Sequence, residues 1–279
     1  MNSPTTRIVA LASAIAFLST LLVGIGGCAA SYPTVEGRMS ASAPISGSPA
    51  IAVRSLNGGI KVVRGDLDVM SVQATVRARN ADRLSAARIR TEQVDGGAYE
   101  VSVAWPGDER LKNEGADFLI TVPAASELVL ESSNGAFVVE GLDAAVAART
   151  SNGSISIIGP SRSVDAVTSN GTIYLEGVTG SVITRSSNGW VRALLAPENN
   201  GPVQMTTSNG NLTLGIGAAF GGEVEMWTSN GAVSVDGFTT GDSPSFLESR
   251  RNYLRLGFGD QAHQSKLRTS NGTVTVRPL

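Results

Sequence analysis

The chain carries one histidine, His263, and one cysteine, Cys28. A Ser-His or Cys-His dyad needs both partners together, and a zinc site needs three or four His, Cys or carboxylate ligands. These counts leave no histidine-based metal cluster and no intramolecular disulfide. His263 reads as a solvated loop residue. Carboxylate chemistry is the remaining catalytic route, because glycoside-cleaving enzymes work with paired acids. Glu131, Asp165, Glu176 and Glu225 fall in different columns of the repeat described next, so no pair stands out. The expectation is no catalytic residue, no metal site and no cofactor.

The other chemistry-bearing residues are repeated ones. Ser-Asn-Gly begins at Ser133, Ser151, Ser169, Ser187, Ser208, Ser229 and Ser270, with an outlying Ser55-Leu56-Asn57-Gly58 upstream. The serine spacings are 18, 18, 18, 21, 21 and 41, the last reading as two repeats with a degenerate copy near Ser249. A fixed period of about 20 residues marks a repeat array. Repeated Asn and Ser side chains could bind sugars or ions. Turn geometry plus stacked side-chain amides accounts for Asn134, Asn152, Asn170, Asn188, Asn209, Asn230 and Asn271 with one mechanism. Calcium-binding β-rolls need aspartate in such turns, and these turns have none.

Two and four residues past each glycine stand Phe137/Val139, Ile155/Ile157, Ile173/Leu175, Val191/Ala193, Leu212/Leu214, Val233/Val235 and Val274/Val276. Smaller or hydroxylated residues mostly lie between them, so each stretch is a half-buried strand. Three residues before each serine stand Leu130, Ala148, Ala166, Thr184, Met205, Met226 and Leu267, and the residue just before it is always Ser or Thr. Gly141, Gly159, Gly177 and Gly237 mark a second corner. Two all-β architectures satisfy this grammar. One is a single-stranded β-solenoid, or β-helix, of about eight coils of 18–21 residues, with like strands paired in parallel. The other is an antiparallel meander of hairpins, because Asn-Gly is also the strongest type I′ hairpin signal. Equal spacings and the recurrent asparagine favour the solenoid. In that arrangement the last copy, ending at Leu279, would form an exposed edge blunted by Arg277 and Pro278.

On the outward face, Arg185 and Trp227 should lie two coils apart, and Tyr174 should precede Trp190 by one coil. Exposed aromatics with flanking arginine suit a carbohydrate or protein partner, and they are also common surface residues. Arg250, Arg251 and Tyr253 make a further candidate patch at the broken repeat.

The body needs a leader. Ile8 to Val23 is apolar and uncharged, follows Arg7, and precedes small residues and Cys28, which reads as an export signal over 1–27. Ile25-Gly26-Gly27-Cys28 resembles a bacterial lipobox. That resemblance implies cleavage before Cys28 and lipidation of it, and Ala29 in place of aspartate implies the outer membrane if the organism is Gram-negative. Residues 28–50, rich in Ser, Ala, Pro and Gly, read as a lipid-anchored tether. Residues 51–122 lack the short period and read as an irregular β N-terminal cap, with a short helix near Asn80 to Arg90. Residues 123–279 are the repeat array. With 22 basic and 24 acidic residues there is no basic excess for nucleic acid.

Leu56-Asn57-Gly58-Gly59-Ile60-Lys61-Val62, then Phe118-Leu119-Ile120-Thr121-Val122-Pro123-Ala124, then Leu128-Val129-Leu130 and the Ser-Asn-Gly run resemble the DUF4097 group of β-strand-repeat proteins, labelled adhesins. The resemblance spans roughly residues 50–279 and implies a β-helical envelope protein without established chemistry. The expected function is a lipid-anchored, non-catalytic binding or scaffold module, its partners the membrane through Cys28 and a glycan or envelope protein. The alternatives are a polysaccharide-active β-helix enzyme and a structural envelope-stress protein with a protein partner.

Overall fold

The computed structural model describes residues 34–239, 244–259 and 263–279. The export signal and Cys28 lie outside the described residues. The fold is all-β, a large sheet that does not close on itself. Its middle is parallel. Glu127–Asn134 pairs with Ala144–Asn152, which pairs with the second half of Ile155–Asn170. That half pairs with the second half of Ile173–Asn188, which pairs with Val203–Asn209. The strands after each Ser-Asn-Gly do the same, from Phe137–Glu140 through Val191–Leu195 to Leu212–Ile216.

The register follows the repeat. Asn134, Asn152, Asn170, Asn188 and Asn209 face one another in succession. A type I′ hairpin needs positive φ at both central residues. Among the described residues, Asp108 and Asn113 are the non-glycines with positive φ, so the Ser-Asn-Gly asparagines make no such turn. The second corner carries the positive φ instead, at Gly141, Gly159, Gly177 and Gly237, with φ of 74°, 111°, 78° and 83°, and the pairing shifts register beside Gly159 and Gly177. Between the two sets of strands lie the alternating apolar residues, Leu128, Leu130, Phe137, Ile155, Ile173, Leu175 and their counterparts, in one buried core.

Both ends depart from the parallel rule. At the N-terminal end, Ala50–Arg54 pairs in parallel with Glu127–Asn134 and with Tyr99–Ala104. Ile60–Arg64 pairs in parallel with Phe137–Glu140 and Gly115–Val122. Antiparallel strands then finish the sheet: Arg88–Gln93 on Tyr99–Ala104, Val69–Ala78 on Gly115–Val122, and Val35–Pro44 on Val69–Ala78. The last of these corrects the tether. Residues 35–44 alternate, with Ala41 and Ala43 buried, and small side chains suffice where a strand lies across an existing sheet. The short helix is Ala81–Ala86, its first turn closed by Asn80 Oδ1 accepting from the Arg83 N–H at 2.9 Å.

The C-terminal end differs more. The segment around Ser249 does not continue the parallel pairing. Ser245–Arg250 and Tyr253–Phe258 form an antiparallel hairpin laid on Gly222–Asn230. The reason is steric. A Cβ on the corner glycine would lie about 2.0 Å from the carbonyl oxygen of the neighbouring repeat's glycine, as at Gly153 against Gly135. Ser249-Arg250-Arg251 places an arginine at that position and cannot stack. Nor is the last repeat at the edge. Gln264–Asn271 lies between Val203–Asn209 and Gly222–Asn230, and Val274–Pro278 between Leu212–Ile216 and Val233–Val235. Arg277 and Pro278 therefore pair with Gly215 and Ile216 instead of blunting an edge.

Candidate binding surfaces

Parallel stacking in register lines up every repeated side chain. The eight corner asparagines form one chain of amide hydrogen bonds. Asn134 Nδ2 donates to Asn57 Oδ1 at 2.7 Å, and Asn152, Asn170 and Asn188 donate to the preceding asparagine at 2.8–2.9 Å. The chain continues from Asn209 to Asn188, from Asn271 to Asn209 and from Asn230 to Asn271, at 2.8–3.0 Å. All donate in the same direction, and Asn57 Nδ2 ends the series on the Glu114 carbonyl.

A second series runs beneath the first. The hydroxyls of Ser132, Thr150, Thr168, Ser186, Thr207, Thr269 and Thr228 donate to glycine carbonyls of the adjoining repeats at 2.9–3.1 Å. All seven residues are buried. The sequence displayed this signal, a Ser or Thr before every repeat serine, without showing what the hydroxyls reach.

The outer face of the first strand set carries one cross-strand row. Arg149, Val167, Arg185, Thr206, Arg268, Trp227, Tyr253 and Arg250 follow one another as register partners. Because the last repeat is inserted, Arg185 and Trp227 are three strands apart in the sheet, not two. The Arg268 guanidinium lies 4.4 Å from the centroid of the Trp227 ring, a cation–π contact. Tyr253 is Trp227's other neighbour. Burial, followed by the charges of Glu225 and Glu248, pushes the Tyr253 hydroxyl above its ordinary pKa. Arg251 occupies the hairpin turn and is exposed. The structure thus joins Trp227, Arg250 and Tyr253 with Arg268, and leaves Arg185 apart, 3.8 Å from Asp165.

Tyr174 and Trp190 lie on the other strand set. Tyr174 stands opposite Arg192, not Trp190, and its hydroxyl is bonded to Glu176, which raises its pKa, helped by burial. Trp190 is 45% exposed. The four acids each have a cationic or hydroxyl neighbour: Glu131 with Arg54, Asp165 with Arg149, Glu176 with Tyr174, and Glu225 with Lys266 at 3.8 Å. Among the described residues, no three His, Cys, Asp or Glu side chains converge on a metal position.

A buried charge also escaped the sequence reading. Glu114 is fully buried and accepts from Arg83 Nε at 2.7 Å, from Arg83 Nη2 at 2.9 Å, and from the N–H groups of Leu111 and Arg79 at 2.8 and 3.1 Å. Burial alone would raise its pKa, but the hydrogen bonds from Arg83, Leu111 and Arg79 outweigh it and hold the carboxyl below its ordinary value.

No family model matches the chain, and no curated protein matches it; the resemblance to DUF4097 rests on the repeat grammar. Among solved structures, a candidate adhesin from Bacteroides fragilis is similar at TM-score 0.44 and 10% identity, over 87% of this chain and 97% of that one. A candidate cell adhesion protein from Clostridium sporogenes gives TM-score 0.36 and 12% identity, over 88% and 100%. A candidate adhesin from Parabacteroides distasonis gives 0.34 and 9%, over 87% and 97%.

Proposed function

We propose that the chain is an exported, lipid-anchored β-solenoid serving as a non-catalytic binding or scaffold module at the bacterial envelope. The observation that carries the reading is the outer row in which Arg268, Trp227, Tyr253 and Arg250 stand side by side on paired strands. A row fixed by main-chain pairing loses little conformational freedom on binding, and Trp, Tyr and Arg are the side chains that anchor interfaces best. Eight stacked asparagines at ~4.8 Å per step make a rod of roughly 34 Å to present it. With Cys28 acylated, the first described strand starts seven residues later, at Val35. Seven residues reach at most ~25 Å, so the body would sit close to the bilayer.

The test is a glycan-array screen and an envelope pull-down with residues 29–279, repeated with Trp190→Ala and Trp227→Ala. The expected result is a glycan or one stoichiometric protein bound by the parent and lost in Trp227→Ala. Retained binding in both variants would remove the aromatic faces from the function. Metabolic labelling with an acyl probe should mark the full chain and not its Cys28→Ser variant; labelling of both would sink the anchor.

A further inference from the structure

A groove of about 560 Å³ opens where the first coil meets the stack. It exists because the repeat grammar is broken there. In Ser55-Leu56-Asn57-Gly58 one residue is inserted into Ser-Asn-Gly. The Leu56 carbonyl accepts from both the Ser133 and Asn134 N–H groups, at 3.1 and 3.0 Å, so the extra residue is absorbed as a bulge. Its side chain is turned out and 47% exposed. Trp105, which follows Tyr99–Ala104, and Phe118 also line the groove.

The segment after Trp105 is folded back by two arginines. Arg83 holds Glu114, and Arg110 Nη1 donates to the carbonyls of Leu111 and Glu114 at 3.2 and 2.7 Å. Arg110 Nε is buried and makes no hydrogen bond.

Three arginines line the groove, and Arg110 is the one with no carboxylate partner among the described residues. Arg54 is matched by Glu100 and Glu131. Arg149, at the rim, and Arg185, one coil beyond Val167, share the single carboxylate of Asp165, at 2.6 and 3.8 Å. Arg110's hydrogen bonds go to carbonyl oxygens. A groove of this size with apolar walls and a few placed polar groups is the form small-ligand sites take.

We propose that this groove binds a small amphipathic anion, its apolar body against Leu56 and Trp105 and its carboxylate or phosphate at Arg110 and Arg149. The site is separate from the aromatic faces and stands whether or not they bind a partner.

The probe is anilinonaphthalene sulfonate, itself an amphipathic anion, titrated into residues 29–279 and competed with laurate, dodecyl phosphate and dodecanol. One site per chain is expected, displaced by laurate or dodecyl phosphate, the better competitor showing whether the head is carboxylate or phosphate. Leu56→Ser, which changes a half-exposed side chain, should weaken probe binding about tenfold and leave Tm unchanged. Arg149→Gln should weaken both anions several-fold and leave dodecanol as it was. Trp190→Ala and Trp227→Ala should bind like the parent. Absence of saturable binding, an unchanged Leu56→Ser variant, or dodecanol competing as well as laurate would each overturn the proposal. So would loss of probe binding in Trp190→Ala or Trp227→Ala.

Discussion

Gly171→Ala isolates what selects glycine at the corners. Gly171 does not have positive φ, so alanine meets no dihedral penalty there. The obstacle is space. A Cβ at 171 would lie 2.0 Å from the Gly153 carbonyl oxygen and 2.6 Å from its carbon. A carbon–oxygen contact needs about 3.3 Å, so the two adjoining strands must part by roughly 1.3 Å out of a ~4.8 Å spacing. The obstructing atoms are backbone and cannot rotate away. The same Gly153 carbonyl accepts the Thr168 hydroxyl at 3.0 Å, and that bond is disturbed too. Overpacking costs about 1–3 kcal/mol, and here it belongs at the upper end, with about 1 kcal/mol more for the hydroxyl bond. A loss of about 3–4 kcal/mol lowers the Tm of a chain this size by roughly 6–16 °C. Gly47→Ala is the control, since Gly47 has φ of 66° and nothing within 4 Å of its added Cβ. It should cost about 1–2 kcal/mol through the backbone alone. Thermal and urea unfolding of residues 29–279 would measure both. If Gly171→Ala melts with or above Gly47→Ala, close coil approach is not what requires the glycine.

Three further outcomes follow from other parts of the molecule. Asn170→Ala removes two exposed ladder bonds, to Asn152 and from Asn188, both 2.9 Å, and should cost about 1 kcal/mol, or 2–4 °C in Tm; an unchanged Tm would leave the ladder without a stabilising role. Glu114, held below its ordinary pKa in the folded chain, stabilises the fold at pH above the unfolded carboxylate value, and that share is lost as pH falls through the folded value; the urea midpoint of Glu114→Gln should therefore fall short of the parent at pH 7 and converge with it in acid. Deleting residues 264–279 removes the strands that join Val203–Asn209 to Gly222–Asn230, which share no pairing of their own; limited proteolysis should then cut freely around residues 222–258 while the coils before residue 217 stay protected, and uniform protection would contradict the inserted topology.

The repeat made the strands and the core legible. Period-2 alternation after each glycine named Phe137, Ile155, Ile173 and Leu212, and all are buried. It could not name neighbours. Every repeat carries the same grammar, so any repeat can in principle pair with any other, and nothing local in Ser270-Asn271-Gly272 says that it sits between Asn209 and Asn230. The Val35–Pro44 strand was hidden for a different reason. Its inward residues include alanines, and its outer edge carries serine and arginine, so the segment has a linker's composition although it lies on a formed sheet. The candidate surface was half legible. Trp227 and Tyr253 belong together only because the hairpin returns antiparallel, a consequence of Arg251 standing where glycine is required. Glu114 and Arg83 are 31 residues apart, and only the fold brings them within hydrogen-bond distance.

One residue did hold a trace of the inserted order. Five positions before the repeat serines stand Leu128, Val146, Val164, Val182, Val203 and Val224, and then Ser265. A consensus argument would replace this serine by valine and expect added stability. The structure argues the reverse. Ser265 is 1% exposed, and its hydroxyl accepts from the Val203 N–H at 3.0 Å. On the other strand set, Asn211 Oδ1 likewise accepts from the Thr273 N–H at 2.9 Å. Both bonds tie the last repeat to the coil of Val203 and Leu212. Gly222, with φ of 123°, admits the returning chain, since a Cβ there would lie 2.4 Å from the His263 carbonyl. Ser265→Val would leave a buried N–H unsatisfied, at about 1–3 kcal/mol, and would force two methyl groups into the space of one hydroxyl at a further cost of about 1–3 kcal/mol, against about 1.6 kcal/mol gained by burying those methyls. Net destabilisation is therefore expected, measured as a lower Tm of the Ser265→Val chain by thermal unfolding. A Ser265→Val chain that melts above the parent would show that apolar fill, and not this hydrogen bond, governs the slot.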